Sequence, residues 1–348
     1  MPCQCGEHNT RRLCEAFRNP QTEQEAVLNK MWVQSTNALQ QNRWNNLQTL
    51  DGALKQTGEK FRQQLDDMVK ELGETGTDTA NGMLRLQSLV ADIKDMCKDA
   101  GLTVSSQTES MLTSIYDESQ KRVAWMLDGA TPGNVSINFD LVPKDQIMSM
   151  LGQNFEGGMF SKRIFEISDK MATDIQTSLT QGMLTGSSIK DMADKVYDIF
   201  GDEHSGYYYR ATLIARTETI RAREMARDRM FKANKDIIEG ELWVGMESEC
   251  DQCAEVEAEH NEGGNSDLQP VIDTHPNCVC TKMAVLKPWN ELADGSGEQP
   301  EEPEDFEDFT SQLANGTLPR MQEEEEPLHV DYKLEYDTKT GKMKRVGL

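Results

Sequence analysis

Five sulfur and imidazole side chains in two short stretches constrain this chain more than any other feature. Cys250 and Cys253 form a Cys-x-x-Cys pair, and His275, Cys278 and Cys280 follow in the segment His-Pro-Asn-Cys-Val-Cys. A Cys-x-x-Cys turn supplies two thiolates to one ion, and a second cluster about twenty residues later completes a tetrahedron. The pattern predicts a structural Zn²⁺ site that staples a small fold without a large core.

The spacing leaves the ligand set open, because five donors compete for four positions. One set is Cys250, Cys253, His275 and Cys280; in the other, Cys278 replaces His275. A closed shell offers no position for water or substrate, which argues against zinc catalysis. Disulfides are disfavoured, because no secretory leader precedes the chain.

A long helix is predicted just before the first cysteine pair. Apolar side chains recur at helical spacing between residues 205 and 234, at Tyr207, Ala211, Ile214, Ala222 and Met225. Glu218 falls on this predicted buried face, where a carboxylate must be paired or hydrogen-bonded. We predict that Glu218 is a structural latch to an arginine or to backbone amides near the zinc site. The alternative is a general base, although the sequence places no second carboxylate or nucleophile beside it.

Three arginines lie on another side of the same predicted helix. Arg216, Arg223 and Arg227 fall within about 40° of one another at 100° per residue. In one interpretation they contact DNA phosphates or an acidic partner. In the other they form a solvated face that pairs with acidic residues of the chain itself. The solvated face is favoured, because 60 acidic residues outnumber 36 basic ones.

Three segments in a fixed order carry a family resemblance. They are GMLTGSSIKDMADKVYDIF (182–200), YRATLIARTETIRAREMARDRMF (209–231) and ELWVGMESECDQC (241–253). With the His-Pro-x-Cys-x-Cys segment that follows, they resemble the C-terminal module of phage Mu F-like minor head proteins. The resemblance covers residues 160–287. It implies a virion protein that associates with the portal protein and other capsid components and helps head assembly or genome delivery.

The net charge of −24 restricts the kinds of partner. Thirteen acids and one arginine lie between Glu291 and Pro327, and this composition predicts an unstructured acidic segment. The remaining acidity argues against broad DNA coating, so any DNA contact should be local. No run approaches the roughly 20 apolar residues of a membrane-spanning helix, so no membrane partner is expected.

The predicted fold is a mainly α N-terminal domain followed by a small zinc-stapled α+β C-terminal module and an acidic disordered tail. The predicted segments are a flexible Cys-rich N-terminus (1–19), a helical domain (20–130), a connecting segment (131–159), the zinc module (160–287), an acidic linker (288–328) and a tail (329–348). The tail is either a β-hairpin that docks on a partner or, as the favoured alternative, mostly disordered.

Within these segments, helices are predicted near 47–72, 83–100, 106–127, 160–181, 188–199 and 205–234, and strands at 135–142, 238–246 and 281–286. The loop between the two metal-binding stretches, with His260, is predicted to be solvated. Cys3, Cys5, His8 and Cys14 form a candidate second metal site, but a frayed terminus with reduced thiols is the simpler interpretation.

We therefore expect a structural virion protein, located in the capsid interior near the portal and in the host cytoplasm during assembly. The alternative is a local DNA-binding adaptor that guides the genome end. A zinc-dependent enzyme or toxin module is a third hypothesis. It is disfavoured because the sequence contains no Gly-rich phosphate loop and no His-Glu-x-x-His motif.

Overall fold

The structure is a computed structural model. It describes residues 20, 22–75, 80–154, 160–185, 187, 189–202, 204–245, 250–261, 267–276, 278–292, 305–318, 332–337 and 342–347. The chain divides into two compact units between residues 302 and 303. Cys3, Cys5, His8 and Cys14 lie outside the described residues. The fold is mainly helical, with a small two-stranded region beside the cysteines, as predicted.

A helical hairpin opens the first unit. It is formed by two long helices, α1 (Glu23–Thr75) and α2 (Ala80–Gly129). The side chain of Gln24 donates a hydrogen bond to the carbonyl of Ala130 at 3.2 Å, and that of Asn42 donates to Ser114 Oγ at 3.2 Å. The start of α1 thus meets the end of α2, so the helices run antiparallel.

The second arm of the hairpin is one continuous helix, whereas the sequence predicted a break between residues 100 and 106. Gly101 lies inside α2, where glycine costs about 1 kcal/mol relative to alanine. A Cβ atom at Gly101 would lie 2.7 Å from Ser168 Oγ. The glycine therefore allows a neighbouring helix to approach closely, and this packing overrides its weak helix propensity.

Four further helices pack on the hairpin. They are α3 (Ile147–Asn154), α4 (Phe160–Leu184), α5 (Ile189–Phe200) and α6 (Gly206–Ala233). One continuous core contains buried residues from all six helices, such as Leu50, Leu112, Leu151, Ile164, Val196 and Ala215. The predicted helical domain and zinc module therefore share a core, and the segment 131–159 does not separate two cores. No described helix has the length and apolar character needed to cross a membrane.

The segment 135–142 forms no strand, which contradicts the prediction, because side-chain amides take the place of a partner strand. Gln120 donates to the carbonyl of Val142 and accepts from its N–H, both at 2.9 Å. Asn234 accepts from the N–H of Asn138 at 2.7 Å and donates to its carbonyl at 3.1 Å. A carboxamide carries the same donor and acceptor as a peptide group, so it satisfies an extended backbone in the same way.

Two strands form the small sheet of the first unit. They are β1 (Ile238–Val244) and β2 (Thr281–Leu286). Both strands were predicted, and they pair antiparallel with Trp243 opposite Lys282. On the outer edge of β1, the Asn261 side chain accepts from the N–H of Trp243 at 2.8 Å and donates to its carbonyl at 2.9 Å.

Helix α7 (Asp251–Asn261) connects the two strands, and α8 (Trp289–Leu292) follows them. Helix α7 occupies part of the predicted solvated loop. His260 is buried on it, with its ring 5.6 Å from that of Trp243, so the prediction of a solvated histidine is wrong.

The second unit contains a helix, α9 (Phe306–Asn315), and a hairpin of β3 (Tyr332–Asp337) and β4 (Lys342–Gly347). Asp305 caps α9 by accepting from the N–H of Glu307 at 2.9 Å, and Gly316 ends it in a left-handed conformation. An unstructured linker was therefore the wrong prediction for residues 305–316, because local capping favours a helix. Strands β3 and β4 pair antiparallel as a hairpin, and the docking role of this tail stays a prediction.

Candidate metal centre

All five predicted donors lie in one cluster, and Cys253 is at its centre. The ligand atoms of Cys250, Cys253 and His275 lie within 4.8 Å of one another, and so do those of Cys253, Cys278 and Cys280. Cys253 Sγ lies 3.2 Å from His275 Nε2 and 3.7 Å from Cys278 Sγ. Thiolates and imidazole at these separations can hold a metal ion.

Two tight turns present the donors. The carbonyl of Cys250 accepts from the N–H groups of Cys253 and Ala254 at 2.9 and 3.1 Å, which winds the first turn of α7 around the cysteine pair. The carbonyl of His275 accepts from the N–H of Cys278 at 3.1 Å. The first turn starts a helix and the second leads into β2, so both halves of the site are anchored to regular structure.

The imidazole of His275 is oriented for a metal. Its Nδ1 lies 2.8 Å from the carbonyl oxygen of Pro276. A carbonyl only accepts, so Nδ1 carries the proton and Nε2 keeps its lone pair toward Cys253. An N–H bond from the far ring nitrogen to a backbone carbonyl is a common way to hold a histidine ligand.

Hydrogen bonds favour Cys278 as a thiolate. Its sulfur accepts from the N–H of Cys280 at 3.4 Å and shares a hydrogen bond with the sulfur of Cys253, in which either atom can donate. The bond from Cys253 holds the pKa of Cys278 well below its ordinary value, although burial acts against this, and raises the pKa of Cys253. The thiolate is the form that binds metal, so Cys278 is prepared as a ligand.

Apolar side chains surround the sulfurs. Trp243 is buried against the cysteines, with Val256, Leu268 and Val271 packed around them. Val271 has a φ of 73°, a left-handed conformation that costs a β-branched residue about 1–3 kcal/mol. Its N–H donates to Thr274 Oγ1 at 3.0 Å, so the strained turn just before His275 is held locally.

A buried carboxylate links α6 to the strand that leaves the site. Glu224 Oε1 accepts from Arg223 Nε at 2.6 Å, from Thr281 Oγ1 at 2.9 Å and from Arg227 Nη1 at 3.4 Å. Its Oε2 accepts from the N–H of Lys282 at 3.2 Å. We call these five residues the Glu224 network. Glu224 carries no distinctive signal in the sequence, because a glutamate between arginines on a helix resembles an exposed ion pair.

The arginine stripe predicted from the sequence is not solvated. Arg223 and Arg227 are 4% and 2% exposed, and Arg216 is partly buried. Helix α6 is enclosed on nearly all sides, so both arginines turn inward to Glu224. The solvated-face interpretation is therefore wrong for Arg223 and Arg227, and neither presents a surface to DNA phosphates.

A second ion-pair group continues the Glu224 network. Lys282 Nζ lies 3.1 Å from Asp228 Oδ1 and 2.7 Å from Glu241 Oε2. Although burial acts in the opposite direction, the bond to Glu241 and the charge of Asp228 raise the pKa of Lys282. These contacts join α6, β1 and β2.

Glu218 is buried and paired, in the arrangement predicted for a latch to an arginine. It forms a salt bridge with Arg163 of α4, and its second oxygen lies 3.9 Å from Arg221. The backbone N–H of Lys282, two residues after Cys280, donates to Glu224 instead. The two carboxylates therefore divide the role predicted for Glu218.

Replacement of Glu218 by alanine should lower the free energy of unfolding by about 3 kcal/mol, because Arg163 and Arg221 lose their carboxylate. Urea denaturation of the purified variant measures this loss. Glu239 is exposed, and Glu239→Ala is the matched control that should change stability by under about 0.5 kcal/mol. Equal stability of the two variants would contradict the latch.

Comparisons with known proteins give one partial likeness. No family model and no solved structure matches the chain. The chain is 24% identical over 104 residues to the NAD(+)–arginine ADP-ribosyltransferase EFV of Enterococcus faecalis. The likeness covers 30% of this chain and spans a fifth of the length of that protein.

Proposed function

We propose that this chain is a bacteriophage minor head protein, a structural virion component that acts in capsid assembly at the portal and in genome packaging or delivery. Its partners are the portal protein and other capsid components. It resides in the capsid interior near the portal, and in the host cytoplasm during assembly. The resemblance of residues 160–287 to Mu F-like proteins supports this proposal.

The observation that carries a structural role is the closed donor cluster. The ligand atoms of Cys250, Cys253, His275, Cys278 and Cys280 lie close together in two groups that share Cys253, and Cys253, Cys278 and Cys280 are buried. A set rich in thiolates selects Zn²⁺, and a shell with four protein ligands serves folding. The ion would join the α7 turn to the start of β2.

An enzymatic function is the alternative suggested by the partial likeness to an ADP-ribosyltransferase. The shared stretch is a fifth of that protein, so its activity does not transfer with the stretch. Incubating the protein with labelled NAD⁺ and an arginine-rich acceptor tests this directly. Zinc-dependent transfer of label would overturn the structural proposal.

A DNA adaptor is less well supported. Two of the three arginines predicted to contact phosphates, Arg223 and Arg227, are paired with Glu224, and the chain carries a net charge of −24. We expect weak DNA binding that is the same in the native protein and in Arg229→Gln, a variant of an exposed arginine on the same helix. Tight, salt-sensitive binding would favour the adaptor.

The decisive test is particle composition. In phage particles made with this gene, we expect the protein to sediment with DNA-filled heads in a small, fixed copy number, and to crosslink to the portal protein. Particles made with Cys253→Ser should lack it, while Glu239→Ala should be incorporated normally. Complete heads without the protein, with full infectivity, would contradict the proposal.

A further inference from the structure

We infer that Arg223 and Glu224 are positioning residues of the metal centre, and that they couple ion binding to the packing of the helices. The inference rests on the proposed structural metal site. It concerns residues that contact the backbone of the metal-binding segment and do not touch the ion.

Side chains of α6 form hydrogen bonds to Cys280, Thr281 and Lys282, the first of which is a candidate ligand. Arg223 Nη2 donates to the carbonyl of Cys280 at 2.8 Å. Thr281 Oγ1 and the N–H of Lys282 donate to the two carboxylate oxygens of Glu224, at 2.9 and 3.2 Å. The backbone next to the Cys280 sulfur is therefore fixed by helix side chains, and the sulfur itself faces the other donors.

Arg223 is itself held in place by hydrogen bonds. Its Nε donates to Glu224 Oε1 at 2.6 Å, and its backbone carbonyl accepts from Ser119 Oγ at 3.1 Å. Ser119 is a fully buried residue of α2. A chain of hydrogen bonds thus runs from the hairpin through α6 to Cys280, and every side chain on it is buried.

The guanidinium suits this position for two reasons. Its planar fork donates in two directions at once, to a carboxylate and to a carbonyl, which a lysine ammonium does not do with the same fixed geometry. A divalent ion bound by three or four thiolates also has a net negative charge. Arg223, whose guanidinium donates to the carbonyl of Cys280 at 2.8 Å, places a positive charge beside this region.

Outer-shell partners of metal ligands typically contribute 10- to 100-fold in metal affinity. Arg223→Lys keeps the charge and removes the fork, so we expect its zinc affinity to fall by about that factor. Arg229→Lys, on the exposed face of the same helix, should stay within about twofold of the native protein. Competition with a chromophoric chelator measures both affinities.

The absorption spectrum of bound Co²⁺ reports the geometry of the ligands independently of the global stability of the protein. The native protein loaded with Co²⁺ should show thiolate-to-cobalt charge transfer and tetrahedral d–d bands. Arg223→Lys should shift the d–d bands while its helical circular dichroism is retained. Arg223→Lys with native affinity and a native spectrum would overturn the inference.

A second variant covers the case in which Arg223→Lys does not fold. Thr281→Val removes one hydrogen bond to Glu224 and keeps the side-chain shape, and we expect it to weaken zinc binding several-fold. Native affinity in Thr281→Val would then overturn the inference. Failure of the native protein itself to bind Zn²⁺ or Co²⁺ would contradict the proposed metal site, which is a separate outcome.

Discussion

Replacement of Cys253 by serine is expected to abolish zinc binding and unfold the region from β1 to β2. Cys253 belongs to both groups of neighbouring donors and to both predicted ligand sets, so its loss separates Cys250 and His275 from Cys278 and Cys280. Structural zinc contributes on the order of 10 kcal/mol of apparent binding free energy, and the small sheet has little other core. Metal analysis of the purified variant and its thermal unfolding measure the two effects.

Cys97 provides the matched control. It is a buried cysteine of α2 that belongs to the helical core and not to the donor cluster. Cys97→Ala should bind as much zinc as the native protein. Its stability should fall modestly, because a buried sulfur is missing from the core. Chelation of the native protein should reproduce the Cys253→Ser phenotype. A Cys253→Ser protein with full zinc content, or a chelated protein with unchanged melting, would contradict the metal centre.

Replacement of Glu224 by alanine should lower the free energy of unfolding by about 3–5 kcal/mol. The change leaves Arg223 and Arg227 as buried cations without their carboxylate, and it also removes the acceptor of the Lys282 N–H. Glu224→Gln retains a side-chain acceptor and should lose less. Urea unfolding with metal-saturated protein separates this effect from zinc loss.

Glu239→Ala again serves as the exposed control, with an expected change of under about 0.5 kcal/mol. The Glu224 variants should also release zinc at lower chelator concentrations, since Glu224 holds Thr281 and Lys282. A Glu224→Ala protein as stable as the Glu239→Ala protein would show that the buried carboxylate has no structural importance.

The metal donors could be predicted because ligand chemistry demands particular residues at short spacing. Cys250 and Cys253 lie within one turn of backbone, so their proximity follows from the sequence. The strand at 281–286 could also be predicted, because β-branched and apolar residues follow the last cysteine. The helices after residue 160 were also predicted closely, because their apolar residues repeat at the helical period over several turns.

The Glu224 network could not be predicted, because helical periodicity does not say how many sides of a helix are covered. α6 has polar residues on every side, yet it is buried on nearly all of them. Charges that would normally be solvated pair inside the fold instead. A similar limit applies to His260, whose burial depends on a stack with Trp243 that no local pattern signals.

The predicted strand at 135–142 failed for a related reason. Alternating residues indicate an extended backbone, and the segment is indeed free of helix between Ser136 and Val142. Whether an extended segment finds a partner strand depends on distant residues. Gln120 and Asn234 occupy that position here, at 22 and 96 residues' separation from the backbone groups they bind.

The side chain of Asn261 has a consequence for self-association. An unpaired strand edge is a template on which another chain can add, and proteins that reach high local concentrations must prevent such growth. Asn261 takes both hydrogen-bonding groups of Trp243, and Glu224 takes the amide of Lys282 in the other strand. At these positions the sheet is closed to recruitment of a further strand, which protects crowded copies of the chain against fibre formation.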